Sequence, residues 1–221
     1  MKFLIKTFKE PDLQYAKNLL SNGELFFQHV SVYRKIEDNN IRGDNDEGSV
    51  LETYELNIPP HIKTLTIGNR NGGKIFIADL ERARKGIPDL RGQEIQSIRI
   101  KYVVDCLIYC MTYIDNELEN QNEIIDGLQH FGKYSVIIQL DEFTAKVNSM
   151  IKCEKGLVCY SDNGTLDPFT KRKNYSWQSE YRLCIAAEGY KQKLISIGRL
   201  SGFICESNAT NIIKKRLHIR N

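Results

Sequence analysis

Three polar residues near the C-terminal end of the chain share a spacing that suits a ligand site. Gln178, Glu180 and Arg182 recur at every second position between apolar or small residues. That alternation is the period of a β-strand with one polar face, so we expect the amide, the carboxylate and the guanidinium to point the same way. Such a face can form a site for a polar ligand, and it can equally be an ordinary solvated face.

Two other motifs point to chemistry that the neighbouring residues do not support. Gly68–Lys74 has the glycine and lysine spacing of a phosphate-binding loop, but Ile75 replaces the hydroxyl residue that would ligate magnesium. Asn71-Gly72 between two apolar runs favours a β-hairpin there. The acidic run that begins at Asp44 has the start of a calcium loop, but Ser49 replaces its required glycine.

Composition limits the class of protein. The chain has 221 residues, of which 41% are hydrophobic, so it can bury one sizeable core, and we predict a single domain over residues 1–221. No apolar run approaches the ~18 residues of a membrane helix, and the first residues lack a signal-peptide pattern, so we expect a cytoplasmic protein. The six cysteines lack Cys-x-x-Cys spacing, which favours reduced thiols over a structural metal or disulfides.

Charge is unevenly distributed along the chain, although the net charge is only +3. Residues 37–55 contain seven acids and one base, whereas residues 189–221 contain seven bases and one acid. Lys171, Arg172 and Lys173 form a further basic cluster. This polarity favours a nucleic-acid substrate or an acidic partner at the basic end, or else a solvated helix face and tail.

Hydrophobic periodicity predicts an α+β fold, because strands outnumber helices and the helices are not inserted regularly between them. Residues 117–129 fit either an exposed helix or a long lid-like loop. The predicted helices are Pro11–Gly23, Ser31–Ile36, Asp141–Met150 and Asn208–Leu217. Besides the polar strand described first, the predicted strands are Lys2–Phe8, Glu24–Val30, Val50–Leu56, Ile62–Ile67, Lys74–Leu80, Glu94–Tyr102, Cys106–Thr112, Tyr134–Leu140, Gly156–Tyr160, Tyr181–Ala187 and Lys193–Ile197.

Three segments in a fixed order carry a resemblance to a known superfamily. The first is Leu25–Asp38, which is followed in the chain by Arg42-Gly43-Asp44 and Glu47-Gly48. The second is Ile108–Tyr113, and the third is Tyr175–Leu183, which contains the Gln178-Ser179-Glu180 motif. Together they resemble the three-part active site of mono-ADP-ribosyltransferases. They are also similar to a group of bacterial proteins, some of which are linked to abortive infection or toxin–antitoxin defence against phages. The resemblance implies a single ADP-ribosyltransferase-like domain, with a mainly antiparallel or mixed, split β-sheet and peripheral helices.

The resemblance implies a role for the polar strand. Glu180 would be the catalytic carboxylate that stabilises an oxocarbenium-like transition state at the nicotinamide ribose of NAD. Gln178 would be the second catalytic residue and would orient the acceptor. NAD would serve as substrate, and no metal would be needed.

The resemblance also implies a set of NAD contacts. Thr112 would support the wall around the nicotinamide ribose, and Tyr33 or Tyr113 would stack on a ring. Arg34 would pair with the pyrophosphate or the adenine ribose, with His29 or Arg42 as alternatives.

The expected function is therefore a mono-ADP-ribosyltransferase toxin in bacterial phage defence. Its acceptor would be a nucleic acid, with RNA among the candidates and with Lys171, Arg172 and Lys173 binding phosphate, or a protein. A non-enzymatic antitoxin or sensor of a defence system is an alternative, as is a magnesium-dependent nuclease that uses acids between residues 37 and 47.

Overall fold

A computed structural model describes residues 1–33, 49–58, 62, 64–68, 75–79, 95–162 and 167–218. The chain divides into two compact units, one of Met1–Val50 with Tyr102–Asn221 and one of Leu51–Lys101. A single domain over residues 1–221 stays a prediction. Residues 69–74 of the motif that resembles a phosphate-binding loop and residues 44–48 of the motif that resembles a calcium loop lie outside the described residues, whereas Ser49 begins a strand.

The larger unit carries most of the elements. Its helices are α1 (Leu13–Asn22), α2 (Val30–Tyr33), α3 (Gln121–Phe131), α4 (Leu140–Met150) and α5 (Thr210–Leu217), with a 3-10 helix over Lys173–Gln178. Its strands are β1 (Lys2–Phe8), β2 (Glu24–His29), β7 (Cys106–Asp115), β8 (Tyr134–Gln139), β9 (Glu154–Leu157), β10 (Cys159–Tyr160), β11 (Thr170–Lys171), β12 (Glu180–Ala186), β13 (Gln192–Ser196) and β14 (Gly202–Glu206).

The smaller unit is built from two strand pairs. One pair joins β3 (Ser49–Ile58) to β6 (Ile95–Val103). The other is an antiparallel hairpin of β4 (Thr64–Gly68) and β5 (Ile75–Asp79). Strands were predicted at all four places, and the structure confirms them within a few residues.

Strand β7 lies at the centre of an eight-stranded antiparallel sheet in the larger unit. One edge of β7 pairs with β12 from Cys106 to Thr112. The opposite edge is shared by two strands, because β1 pairs at residues 112–115 and β2 pairs at residues 107–108. The edge of β7 is thus divided at residues 109–111, where the Lys6 Nζ donates a hydrogen bond of 2.7 Å to the carbonyl of Cys110.

Both faces of the sheet are covered, which explains why β7 is buried almost throughout. The odd-numbered side chains of β7, Tyr109 and Tyr113 among them, pack in a core cluster with residues of α1 and α4. Even-numbered residues face the other way, and Ile114 packs against α3 and α5. Successive side chains of a strand point to opposite faces, so Thr112 and Tyr113 serve different surfaces of the sheet.

The predicted α+β class with a mainly antiparallel sheet is confirmed. The lid-like alternative for residues 117–129 is wrong, because α3 spans Gln121–Phe131 and buries Ile124, Ile125 and Leu128. The helical alternative was closer, although one face of that helix is covered. No helix in the described ranges has both the length and the apolar character needed to cross a bilayer.

Candidate functional site

The polar motif is not one continuous strand. Gln178 ends the 3-10 helix, Ser179 has a left-handed backbone with φ of 45°, and Glu180 begins β12. The alternation of polar residues predicted a strand through all of them. The burial of Tyr175 and Gln178, three positions apart, instead follows the period of a 3-10 helix.

Glu180 nevertheless lies at the centre of a polar cluster with its neighbours. Its Oε1 accepts a hydrogen bond of 2.8 Å from the Lys171 Nζ. Its Oε2 accepts a hydrogen bond of 2.7 Å from the Arg182 Nε and forms an ion pair with the Arg182 Nη2 at 2.6 Å. The Glu180 side chain is 13% exposed, whereas those of Lys171 and Arg182 are 2% and 0% exposed.

Lys171 also joins Gln178 to this cluster. Its Nζ donates a hydrogen bond of 2.7 Å to the Oε1 of Gln178 and lies 5.0 Å from the ring centroid of Tyr175. A lysine ammonium has only donors, so this contact fixes which amide atom of Gln178 faces it. The Nε2 of Gln178 therefore points away from Lys171.

The cluster keeps Glu180 ionised. Burial by itself raises the pKa of Glu180, but Arg182 and then Lys171 outweigh it, and the pKa falls from 4.5 to about 2. The Tyr160 hydroxyl accepts a 2.8 Å hydrogen bond from the backbone N–H of Glu180. Burial raises the pKa of Tyr160, so this hydroxyl stays neutral. The site thus presents a fixed carboxylate at physiological pH.

A cavity of about 140 Å³ opens beside this carboxylate. Four residues predicted for the site, Tyr33, Thr112, Gln178 and Glu180, line it together. Thr112 lies opposite Glu180 in the register of β7 and β12, and Tyr33 is the last residue of α2. The remaining lining residues come from β1, β7 and the end of α3: Ile5, Lys6, Thr7, Cys110, Met111 and Phe131.

Two of the other predicted NAD contacts lie elsewhere. Tyr113 donates its hydroxyl hydrogen bond to Asp115 and does not line the Glu180 cavity, so its stacking role stays a prediction. His29 does not line the Glu180 cavity; its ring bonds to the Ser31 Oγ at 2.7 Å and to the Asp105 Oδ1 at 3.1 Å. Arg34 and Arg42 lie outside the described residues.

The predicted basic cluster does not act as one surface. Lys171 is buried and bound to Glu180 and Gln178, and its role in binding phosphate stays a prediction. Arg172 and Lys173 are exposed. Lys171 ends strand β11, whereas Lys173 begins the 3-10 helix, so the three cations do not share one element. Three adjacent cations in a sequence cannot reveal this.

Sequence reasoning also missed Lys6. It lines the Glu180 cavity and a second cavity of about 530 Å³ that shares Tyr33 with the first. A lysine at an even position of a predicted N-terminal strand carries no distinctive signal. Only the division of the β7 edge brings Lys6 next to β7.

This arrangement can stabilise positive charge at a polar ligand. A carboxylate oxygen has two lone pairs, so the Oε1 of Glu180 can accept a hydrogen bond from a ligand hydroxyl in addition to that from Lys171. The Nε2 of Gln178 can donate to a carbonyl oxygen. Within the described residues, no group of three or more histidine, cysteine or acidic side chains is placed to hold a metal ion.

No protein-family model, curated protein or solved structure matches this chain.

Proposed function

We propose that this protein is a mono-ADP-ribosyltransferase that uses NAD as its substrate. The observation that carries the proposal is the convergence of Glu180, Gln178, Thr112 and Tyr33 on one cavity, with Glu180 held as a carboxylate. These residues come from three separate segments of the sequence. The division of the sheet at β7, where this cavity lies, also supports the split sheet that such a fold requires.

The proposed reaction needs little covalent chemistry from the protein. The bond between the ribose C1′ and the nicotinamide nitrogen breaks, and its electron pair leaves with nicotinamide. Positive charge develops on the ribose, and the Glu180 carboxylate stabilises it while accepting a hydrogen bond from a ribose hydroxyl. The acceptor nucleophile then bonds to C1′ and loses its proton to water.

Gln178 favours an acceptor that carries a carbonyl group beside its nucleophile. Because Lys171 binds the Oε1 of Gln178, the amide directs its N–H donors away from Lys171. A guanidinium group has no acceptor atom for these donors. Nucleobases and primary amides with carbonyl oxygens offer such an acceptor, whereas an arginine side chain does not.

The exposed Arg172 and Lys173 follow directly on Lys171 in the chain and support a nucleic-acid acceptor, because cations bind phosphate without reading sequence. RNA is one such acceptor, and a protein amide is the other class that Gln178 favours. A toxin of a bacterial phage-defence system, held in check by an antitoxin, would be the biological setting.

The test must separate catalysis from stability. Replacing Glu180 by alanine would leave Lys171 and Arg182 buried without a counter-charge, which alone costs about 3–5 kcal/mol. Glu180→Asp keeps the charge but withdraws the carboxylate by one methylene, and a misplacement of ~1 Å can cost on the order of 10²-fold in rate. Glu188→Asp makes the same change at an exposed position.

Purified protein would be incubated with NAD labelled in its adenylate half and with a cell lysate, and RNA, DNA and protein would then be separated. We expect label transfer by the wild type and by Glu188→Asp, with a loss of about 10²-fold in Glu180→Asp. Equal transfer by all three proteins would remove Glu180 from the mechanism.

A second candidate function is a non-enzymatic binding partner, such as an antitoxin or sensor. The double ion pair of Glu180 favours it, because the same contacts would be expected of a motif that only stabilises the fold. This function predicts no binding of NAD. A thermal-shift titration with NAD distinguishes the two candidates.

A further inference from the structure

The second cavity differs from the first in size and in chemistry. Its volume of about 530 Å³ falls within the ~300–1,000 Å³ of pockets that hold small ligands. Its walls carry several aromatic rings, and rings stack well on planar heteroaromatic ligands. The aromatic lining residues are Phe8, Tyr15, Phe26, Tyr33 and Tyr109.

The mouth of this cavity exposes apolar surface. Phe26 and Leu194 lie opposite each other in the register of β2 and β13, and they are 44% and 58% exposed. Tyr15, on α1, is 62% exposed. Exposed apolar side chains that converge on one cavity are typical of ligand sites.

A buried polar atom in the wall also lacks a partner. Tyr109 is only 3% exposed, and among the described residues its hydroxyl is the buried side-chain polar atom that forms no hydrogen bond. Such a group costs about 1–3 kcal/mol when it remains unpaired. A ligand with a polar ring edge can supply the missing bond.

The acidic residues of this cavity determine which part of a ligand can bind beside them. Asp12 and Glu24 are its acidic lining residues, and the side chains of Asn18 and Asn22 hold Glu24 through hydrogen bonds of 2.9 Å. Carboxylates accept hydrogen bonds from the exocyclic N–H groups of a base and repel phosphate. Phosphate is therefore disfavoured beside these acids.

Lys6 is the cation that lines both cavities. Its Nζ is held by the Cys110 carbonyl at 2.7 Å and lies 4.6 Å from the ring centroid of Tyr109. Its ammonium is therefore available to an anionic group that links a ligand in one cavity to a ligand in the other. Lys6 is thus placed where the linker of a two-part ligand would run.

We propose that the second cavity binds the adenine base of NAD and that Lys6 binds the pyrophosphate that joins it to the Glu180 cavity. This inference rests on the proposed function for the identity of the ligand. It adds the aromatic cavity as the site for the base and names Lys6 as an anion-binding residue.

Calorimetric titrations with NAD and with adenosine test the two parts separately. Lys6→Met should weaken NAD binding about tenfold, the usual scale for one charge-assisted hydrogen bond, and should weaken adenosine binding much less, because adenosine carries no anionic group. Lys6→Arg should retain most of the NAD affinity. Phe26→Ser should weaken both ligands, whereas Lys9→Met and Ile212→Ser make the same kinds of change at exposed positions outside both cavities and should weaken neither.

The outcomes separate this inference from the proposed function. If NAD binds and the Lys6 and Phe26 variants bind it as the wild type does, the cavity assignment is wrong even when label transfer occurs. If adenosine and NAD bind with the predicted losses but no acceptor is labelled, the cavity assignment stands and the transferase proposal fails. Absence of binding by either ligand overturns the assignment.

Discussion

At the residue scale, the contacts of Glu180 with Lys171 and Arg182 give it two roles, one in the proposed chemistry and one as a structural counter-ion. Lys171 and Arg182 are almost fully buried, and each would be an uncompensated charge without Glu180. Transfer of a charge from water into a protein interior is costly unless it is paired and hydrogen-bonded. The carboxylate that the proposed chemistry requires is therefore also a structural counter-ion, and any substitution there changes both properties.

This coupling makes stability depend on pH. The pKa of Glu180 is about 2 in the folded protein and 4.5 ordinarily, so the folded state prefers the ionised form. The stabilisation is fully present above pH ~4.5 and is lost as the pH falls through the folded pKa near 2. We expect the unfolding free energy of the wild type to exceed that of Glu180→Gln by a constant amount from pH ~8 to ~5, and the difference to shrink below that.

Urea unfolding at a series of pH values measures this difference, and Glu188→Gln serves as the exposed control. A gap that stays constant down to pH ~3 would mean that Glu180 does not titrate as its contacts require.

At the element scale, the contact between α3 and the 3-10 helix positions Gln178. Trp177, its neighbour in the chain, stacks on Phe131 of α3 at a centroid distance of 5.3 Å. Gly127 allows this close approach, because a Cβ there would lie 2.8 Å and 2.9 Å from two ring atoms of Trp177. The Glu180 cavity thus depends on a helix that contributes only Phe131 to its lining.

Gly127→Ala should destabilise the protein, although glycine-to-alanine changes inside helices usually stabilise by about 1 kcal/mol. Overpacking against the rigid Trp177 ring costs roughly 1–3 kcal/mol and displaces the 3-10 helix. We expect a lower melting temperature and, if the proposed function is correct, slower label transfer. Gly156→Ala, in strand β9, is the control for an added Cβ without a clash, since its Cβ would meet no atom within 4 Å. A melting temperature for Gly127→Ala at or above that of the wild type would contradict this packing.

The same elements show what sequence patterns can and cannot predict. Strands β1 and β8 and helix α1 follow from local hydrophobic periodicity, and the prediction places them within one to a few residues. The predicted polar strand is confirmed from Glu180 to Leu183 and is wrong at Trp177 and Gln178, which belong to the 3-10 helix. Contacts with Gly127 and Phe131, some fifty positions earlier, decide that conformation, and no local pattern reports them.

The candidate site was also predictable only in part. Residue types identified Glu180, Gln178, Thr112 and Tyr33, which line one cavity. The buried state of Lys171 and the location of Lys6 were not predictable, because both depend on strand pairings between distant segments.

At the scale of the whole molecule, the division of one strand edge places the two cavities side by side. Neither β1 nor β2 pairs with β7 at residues 109–111. The two adjoining cavities share Lys6 and Tyr33 as lining residues. One cavity is small and carries a fixed carboxylate, and the other is larger and aromatic. A ligand with a ribose at one end, a base at the other and an anionic linker matches this order of chemistry.

The most direct measurement is a crystal structure of the protein with an NAD analogue whose nicotinamide–ribose bond cannot be cleaved. We predict a ribose hydroxyl within hydrogen-bonding distance of the Glu180 carboxylate, about 2.6–3.2 Å, with the pyrophosphate at Lys6. An analogue bound away from Glu180, or a Glu180 cavity without ligand at saturating concentration, would contradict the proposed function.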